Sequence, residues 1–445
     1  MSMFNIGLSG LNTTQKALEV TSHNIANSST AGYKTASSEF ASVYNGGQRG
    51  GVMLSGVNEN FTTQGNIVNT GSSLDLAITG KGFFVISENG RTAYTQAGQF
   101  KLDNEQYIEN THGNRLQGYG VDANENLIPG ILTDLRIEAA NIPAQATERI
   151  DFSLNLSGAS EALGLPTGNF NPKDGDAYNF SQSSEIFDSL GNAHTLTQYF
   201  SHLGGNEWAV TYYVDGNPLP AGSLAGGNGT PNNIQPITAL DADNNPVAAE
   251  SIIITFGTDG QLTPITDGVL GANPPDNNKD DPYNVRELVI NFAPAGADPM
   301  AVTVDMAKAT QFGSGFSMYQ NKPDGYTSGE FAGVAVAEDG RVYATFTNGA
   351  TKLQGQVVLA SFANVNGLEN GNNTSWYATA ASGAALYGAP AEGSFGSLLS
   401  GAYMGSNVNI SEQLVDLMSF QQNYQANAKT ISTADEMMQI LFSAT

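Results

Sequence analysis

The sequence predicts a mainly β, multi-domain protein whose α-helical N- and C-terminal segments pack as a coiled coil, with nested, discontinuous β-domains between them. Three observations carry this prediction. Heptad spacing recurs at both ends of the chain. The stretch between the ends is punctuated by glycine and by short runs of β-branched and aromatic residues. The length of 445 residues exceeds what one hydrophobic core organises and points to roughly two to four domains.

At the start of the chain Phe4, Leu11, Leu18 and Ile25 fall every seven residues. Leu8 adds a second seam position, with Gln15 and Ser22 as its polar successors. The spacing predicts a helix over 3–26, stopped by an Asn-Ser-Ser-Thr-Ala-Gly stretch that ends at Gly32. Such a helix is marginal by itself, because nucleation is costly and most of its stability comes from burying an apolar stripe. Both termini are therefore expected to fray in the free subunit and to order on assembly.

Residues 36–75 scatter Phe40, Val43, Tyr44, Met53 and Phe61 among Gly, Ser, Thr and Asn, and read as an extended, irregular connection. GKGFFVISENGRTAYTQAGQF (80–100) then places two apolar runs around Glu-Asn-Gly, a hairpin signal. Further strand candidates are TLTQYF (195–200), WAVTYYV (208–214), SIIITF (251–256), VRELVINF (285–292) and MAVTVDM (300–306). Long polar loops such as 221–233 and 274–282 separate them, and no helical pattern of βαβ length intervenes, which selects an all-β insertion. Strand patterns resume over 326–400, including a Gly- and Ala-rich stretch from 381. From about 410 a closing helix is marked by Leu417, Tyr424, Ile431 and Met438, flanked by Leu414, Gln421, Ala428, Asp435 and Phe442. This near-palindromic order predicts four layers: 1–30 with 405–445 as a helical assembly domain, 31–70 with 401–404 as connector, 71–145 with 322–400 as an inner β-domain, and 146–321 as an outer β insertion.

The formal charge of −25, from 17 basic and 42 acidic side chains, opposes attraction to nucleic acid or anionic lipid. With no cysteine there are no disulfides, thiolate metal sites or thiol nucleophiles. The first fifteen residues hold no Lys or Arg, so no cleavable signal is visible there, and no apolar run has membrane-spanning length. Chemistry is equally sparse. His23, His112, His194 and His202 show no metal-ligand spacing, and the pair His194 and His202 is expected at surface or edge positions. The acidic loop from Asp241 fails the calcium-loop pattern, with Pro246 in the glycine place and Ile252 in the bidentate carboxylate place. No catalytic residue, cofactor or metal is expected.

The two ends carry more than periodicity. SHNIANSSTAGYK (22–34) is similar to a signature shared by the axial proteins of the bacterial flagellum, with Asn24, Ile25, Ala26, Asn27 and Gly32 at its matching positions. SNVNISEQLVDLMSFQQNYQANAKTISTADEMMQIL (406–441) resembles the terminal helix of the same family, through Asn423, Tyr424, Ala426 and Asn427. Two departures are Gln96, where the family has Arg, and Tyr403-Met404, where it has Leu-Glu. The large β insertion and EIFDSLGNAHTLTQYF (185–200) look like the hook branch of this family. The resemblance implies a non-enzymatic extracellular subunit that self-assembles into a short, curved, hollow tube, a universal joint between motor and filament. It implies export without a cleaved signal through the flagellar type III apparatus. The implied partners are further copies of the chain, the rod, the hook cap and the hook–filament junction proteins, with no nucleic acid and no membrane insertion. On this reading Phe4, Leu8, Leu11, Leu18 and Ile25 pack with Leu414, Leu417, Tyr424, Ile431 and Met438 of the same and neighbouring subunits. The alternatives are another axial protein, such as a distal rod or hook-associated subunit, and a secreted β-rich adhesin or hydrolase.

Overall fold

The computed structural model describes residues 2–45, 48–123, 125–166, 168–226, 233–263 and 286–443, so the predicted loop 274–282 and part of the loop 221–233 lie outside the described residues. The chain forms two compact units, one of residues 1–140, 331–345 and 351–445, the other of 141–330 and 346–350.

In the first unit, helix α1 (Ser2–Ala26) packs against helix α2 (Ile410–Ser443). The pairing is antiparallel, since Gly7 faces Ile431 while Asn24 reaches Gln413. The turn after α1 is set by Gly32, whose φ is +70° and whose absent side chain makes room for the Ala97 backbone nitrogen. Only glycine meets both demands. α2 starts on Asn409, whose Oδ1 accepts the Ser411 N–H at 3.1 Å, with Glu412 in the first turn where the helix dipole favours an acid.

The stretch after α1 is more regular than its composition suggests. Strands β1 (Ala36–Asn45) and β2 (Gln48–Glu59) form an antiparallel hairpin, with register shifts beside Phe40 and Tyr44. The hairpin docks on α1, where the Val52 N–H reaches Ser9 Oγ at 3.3 Å and Gly51 lies directly over the same serine. Its strands lack strict apolar alternation because a helix, not a second sheet, supports them, and such tertiary support overrides weak strand propensity.

Beyond the hairpin, strands from the two halves of the chain interleave. Ile78 pairs with Leu398, Phe84 with Leu359, Thr95 with Ser375 and Gly118 with Val357. The core of this β body is aromatic and packed edge to face, with ring centroids 5.7 Å apart for Phe83 and Trp376 and 4.8 Å for Tyr94 and Phe362. Both departures from the family pattern lie inside this framework. Gln96 is buried and donates to the Gly82 carbonyl at 2.9 Å. Tyr403 and Met404 belong to the strand Ala402–Met404, paired with Ile67–Asn69.

The second unit consists of two sheets. One runs in the order Asn169–Phe170, Ile234–Leu240, Pro246–Thr255, Glu207–Val214, Ala193–Gly204, Phe180–Phe187. The other contains Leu224–Gly226, Glu287–Phe292, Met300–Asp305, Arg149–Ser157 and Thr310–Phe312, with Ser317–Pro323 also on Arg149–Ser157. They share one core, to which Phe200, Trp208, Val210 and Tyr212 contribute from the first sheet and Phe152, Leu154, Ile290 and Val302 from the second. The strand Glu207–Val214 is buried on both faces, because Tyr213 enters a smaller cluster with Phe170 and Ile237. The two histidines expected at surface or edge positions differ. His194 is partly exposed beside Asp215, at 2.6 Å. His202 is a buried residue, stacked on Trp208 with centroids 4.7 Å apart and its ring nitrogens facing the Ser160 and Gly205 carbonyls.

Candidate assembly interface

The seam between α1 and α2 is built from small and polar residues. The buried positions of α1 include Gly7, Gly10, Thr14, Ala17, Thr21 and Asn24, which form two heptad columns. A Cβ on Gly7 would lie 2.9 Å from Ile431 Cγ1, and one on Gly10 2.7 Å from Asn427 Oδ1. Small residues therefore set how closely the helices approach, as in other tight helix pairs. Thr13 and Thr14 turn their hydroxyls back to helix carbonyls, Thr14 to Gly10 at 2.7 Å, and so bury polar side chains with their hydrogen bonds made. Asn427 adds a 3.4 Å bond to Thr14 Oγ1.

The apolar column read from the sequence lies one residue further along α1, about 100° round the helix. Phe4 and Leu8 are exposed, at 46% and 42%, and Leu11, Leu18 and Ile25 are half-buried. On α2 Leu417, Tyr424 and Ile431 are half-buried, whereas Leu414 and Met438 are exposed. The second buried-to-half-buried column of α2 is Gln413, Phe420, Asn427 and Ala434, not the flanking series from Leu414 to Asp435. Of the motif residues, Asn24 and Gly32 are buried, Asn27 is half-buried, and Ala26, Asn423 and Ala426 are exposed.

Two asparagines pin this helix pair to the chain that enters and leaves it. Asn24 donates to the Ala36 carbonyl and to Gln413 Oε1, both at 2.8 Å, and accepts from Tyr33 Oη at 2.9 Å and the Ala36 N–H at 3.0 Å. Asn407 accepts from the Thr35 N–H and hydroxyl at 2.7 and 2.8 Å and donates to the Asn60 and Thr63 carbonyls at 2.9 and 3.0 Å. Each amide thereby uses its full complement of donors and acceptors. Between them Lys34 is buried with its Nζ 3.4 Å from the Thr63 carbonyl, and burial pushes its pKa down to about 8. Burial raises the pKa of nearby Glu59, whose carboxylate accepts from Trp376 Nε1 at 2.7 Å and Asn370 Nδ2 at 2.9 Å. Tyr33, Lys34, Glu59, Asn407 and Gln413 were not singled out from sequence. Asn407 and Lys34 fall inside the two motifs, but only the fold shows what they hold together.

Outward from the seam, α1 and α2 carry large apolar side chains that the described residues leave about half exposed, among them Ile410, Val415 and Met418 at 49%, 60% and 55% exposure. Runs of this kind on a protein surface mark sites of association. No helix among the described residues is long and apolar enough to cross a membrane.

Comparison with known proteins bears on what associates. Residues 4–34 match the family described as flagella basal body rod protein, and 399–444 the flagellar basal body rod FlgEFG protein C-terminal family. Residues 77–159 match the flagellar hook protein FlgE/F/G D1 domain, and 155–326 the flagellar basal body protein FlaE D2 domain. The chain is 33% identical to the flagellar hook protein FlgE of Escherichia coli (strain K12) over 444 residues, covering 98% of each. The chain belongs to the flagellar hook protein family. Hook proteins of Salmonella typhimurium and Rhizobium meliloti are likewise similar, at 33% identity over 98% of both chains and at 28% over 98% of this chain and 97% of that one. The basal-body rod family matches at the two ends contain most of α1 and all of α2, and the asparagine pins lie within those matches.

Proposed function

We propose that this hook-family chain polymerises through its paired terminal helices into the curved hollow hook, a structural joint of the bacterial flagellum that carries torque from rod to filament. The observation that carries the reading is the division of labour on the helices. The α1 side of their mutual seam uses Gly, Ala, Thr and Asn, while Phe4, Leu8, Leu414 and Met438 are exposed. Burying such side chains against neighbours stabilises a polymer by roughly 25 cal/mol per Å² of apolar surface. The asparagine pins hold the helices in one register, which a tube under torsion needs.

Phe4, Leu8, Leu11, Leu18, Ile25, Leu414, Leu417, Tyr424, Ile431 and Met438 are the residues proposed to make the assembly contacts, the half-buried ones also supporting the pair within the subunit. Partners of different sequence are the rod, cap and junction proteins, and the route outward is the flagellar type III apparatus. The chain acts without a catalytic site. Electron microscopy of the purified full chain under polymerising conditions tests the reading. Curved or straight tubes are expected, and Leu414→Asp should leave only monomers; persistent monomers of the unmodified chain overturn it.

A further inference from the structure

A groove of about 660 Å³ opens between α1, α2 and the β1–β2 hairpin. Its lining includes Ile6, Phe40, Val43, Tyr44, Phe420 and Ala426, with no acidic or basic residue among the described lining residues. In a chain of formal charge −25 two copies meeting on an acidic face would repel, so an uncharged lining favours contact between copies. An exposed apolar segment of the same chain matches it. Near the end of α2, Met437, Met438 and Ile440 are exposed, at 48%, 42% and 66%, and no ionisable residue follows Glu436 within the helix.

That feature cannot fill its own groove. Ile440 stands about 20 Å along a continuous helix from Ala426 in the groove wall, at 1.5 Å per residue. An occupant of this kind comes from another molecule, and a second copy supplies an apolar segment, Met437–Ile440, that carries no charge of its own.

We propose that the Met437–Ile440 end of α2 of one subunit seats in the groove between α1, α2 and the β1–β2 hairpin of the next. Because the two surfaces differ, the contact is head to tail, and a contact of that kind that does not close on itself generates an open helical filament, not a dimer. This inference rests on the self-assembly reading and adds the pair of surfaces that makes one of its contacts.

The absence of cysteine makes cross-linking a clean test. Chains carrying Ile440→Cys are mixed with chains carrying Ser42→Cys or Ala426→Cys, which sit on the two walls of the groove, polymerised and oxidised. A disulfide needs Cα atoms within about 7 Å. Covalent dimers of the two labelled chains are expected in the polymer and not in dilute monomer. Ile440→Asp should lower polymer yield at least tenfold with the thermal midpoint of the monomer unchanged. Tubes that form without these cross-links, or that cross-link the groove to Phe4→Cys instead, overturn the groove assignment while leaving self-assembly standing. Failure of the unmodified chain to form any polymer sinks both.

Discussion

The helix pair and the sandwich unit bury opposite kinds of residue. In the sandwich, Phe152, Phe200, Trp208 and Tyr212 are almost wholly withdrawn from water and the core closes within one chain. In the helix pair the buried columns of α1 are Gly, Thr, Ala and Asn, and several large apolar side chains, such as Phe4, Leu8 and Leu414, are exposed. The first region is complete as a monomer. The second uses small residues for close approach and leaves large apolar side chains exposed. That difference separates stability from assembly, and substitutions in the two regions should divide along the same line.

The largest effect on subunit stability is expected from Trp208→Ala, which empties the centre of the sandwich and should cost about 3–5 kcal/mol. Calorimetry should show this as loss of the transition of residues 141–330, and an unchanged thermogram breaks the comparison. Gly10→Leu comes next. It forces a side chain into Asn427 and should cost about 1–3 kcal/mol, read as lower helicity at 222 nm with the sandwich transition intact. Asn24→Ala removes the hydrogen bonds that Ala36 and Gln413 make to it and leaves Tyr33 with His23 alone, at about 1–3 kcal/mol. Faster amide exchange in the last turns of α1 and the first turns of α2 would report it. Leu414→Asp lies on the uncovered face, so its effect on monomer stability should stay within about 0.5 kcal/mol while polymer yield collapses.

A pH dependence is also expected at the junction. Burial lowers the Lys34 pKa from 10.5 to about 8 in the fold. Between those values the unfolded chain holds a proton that the folded chain has released, so stability rises with pH across that window. The cost of the buried ammonium is fully present below about pH 8. Denaturant midpoints from pH 7.5 to 10 should climb, and Lys34→Met should flatten the climb; an equal slope in the variant would show that Lys34 is not its source.

Much of the architecture was legible in the residues. Heptads at both ends announced the helices, and the β-branched runs from 195 to 306 mark strands that form. The hairpin Ala36–Glu59 was not legible, because docking on Ser9 of α1 supports strands whose own pattern is weak. His202 was read as peripheral, since nothing local distinguishes a surface histidine from one stacked on a buried tryptophan. The phase of the α1 seam was out by one residue for a clear reason. Counting apolar residues selects Phe4, Leu11 and Leu18, whereas helices in close contact select Gly7, Gly10 and Ala17.

By itself the sequence determined the mainly β class with helical ends, the periodicity of those helices and, through the motifs around Asn24 and Asn427, the family, because these depend on local spacing and residue identity. Only the tertiary structure decided which face of each helix turns inward, how Asn24 and Asn407 bind segments hundreds of residues apart, and which apolar side chains stay exposed. Periodicity defines two faces of a helix, but van der Waals contact across the seam chooses between them.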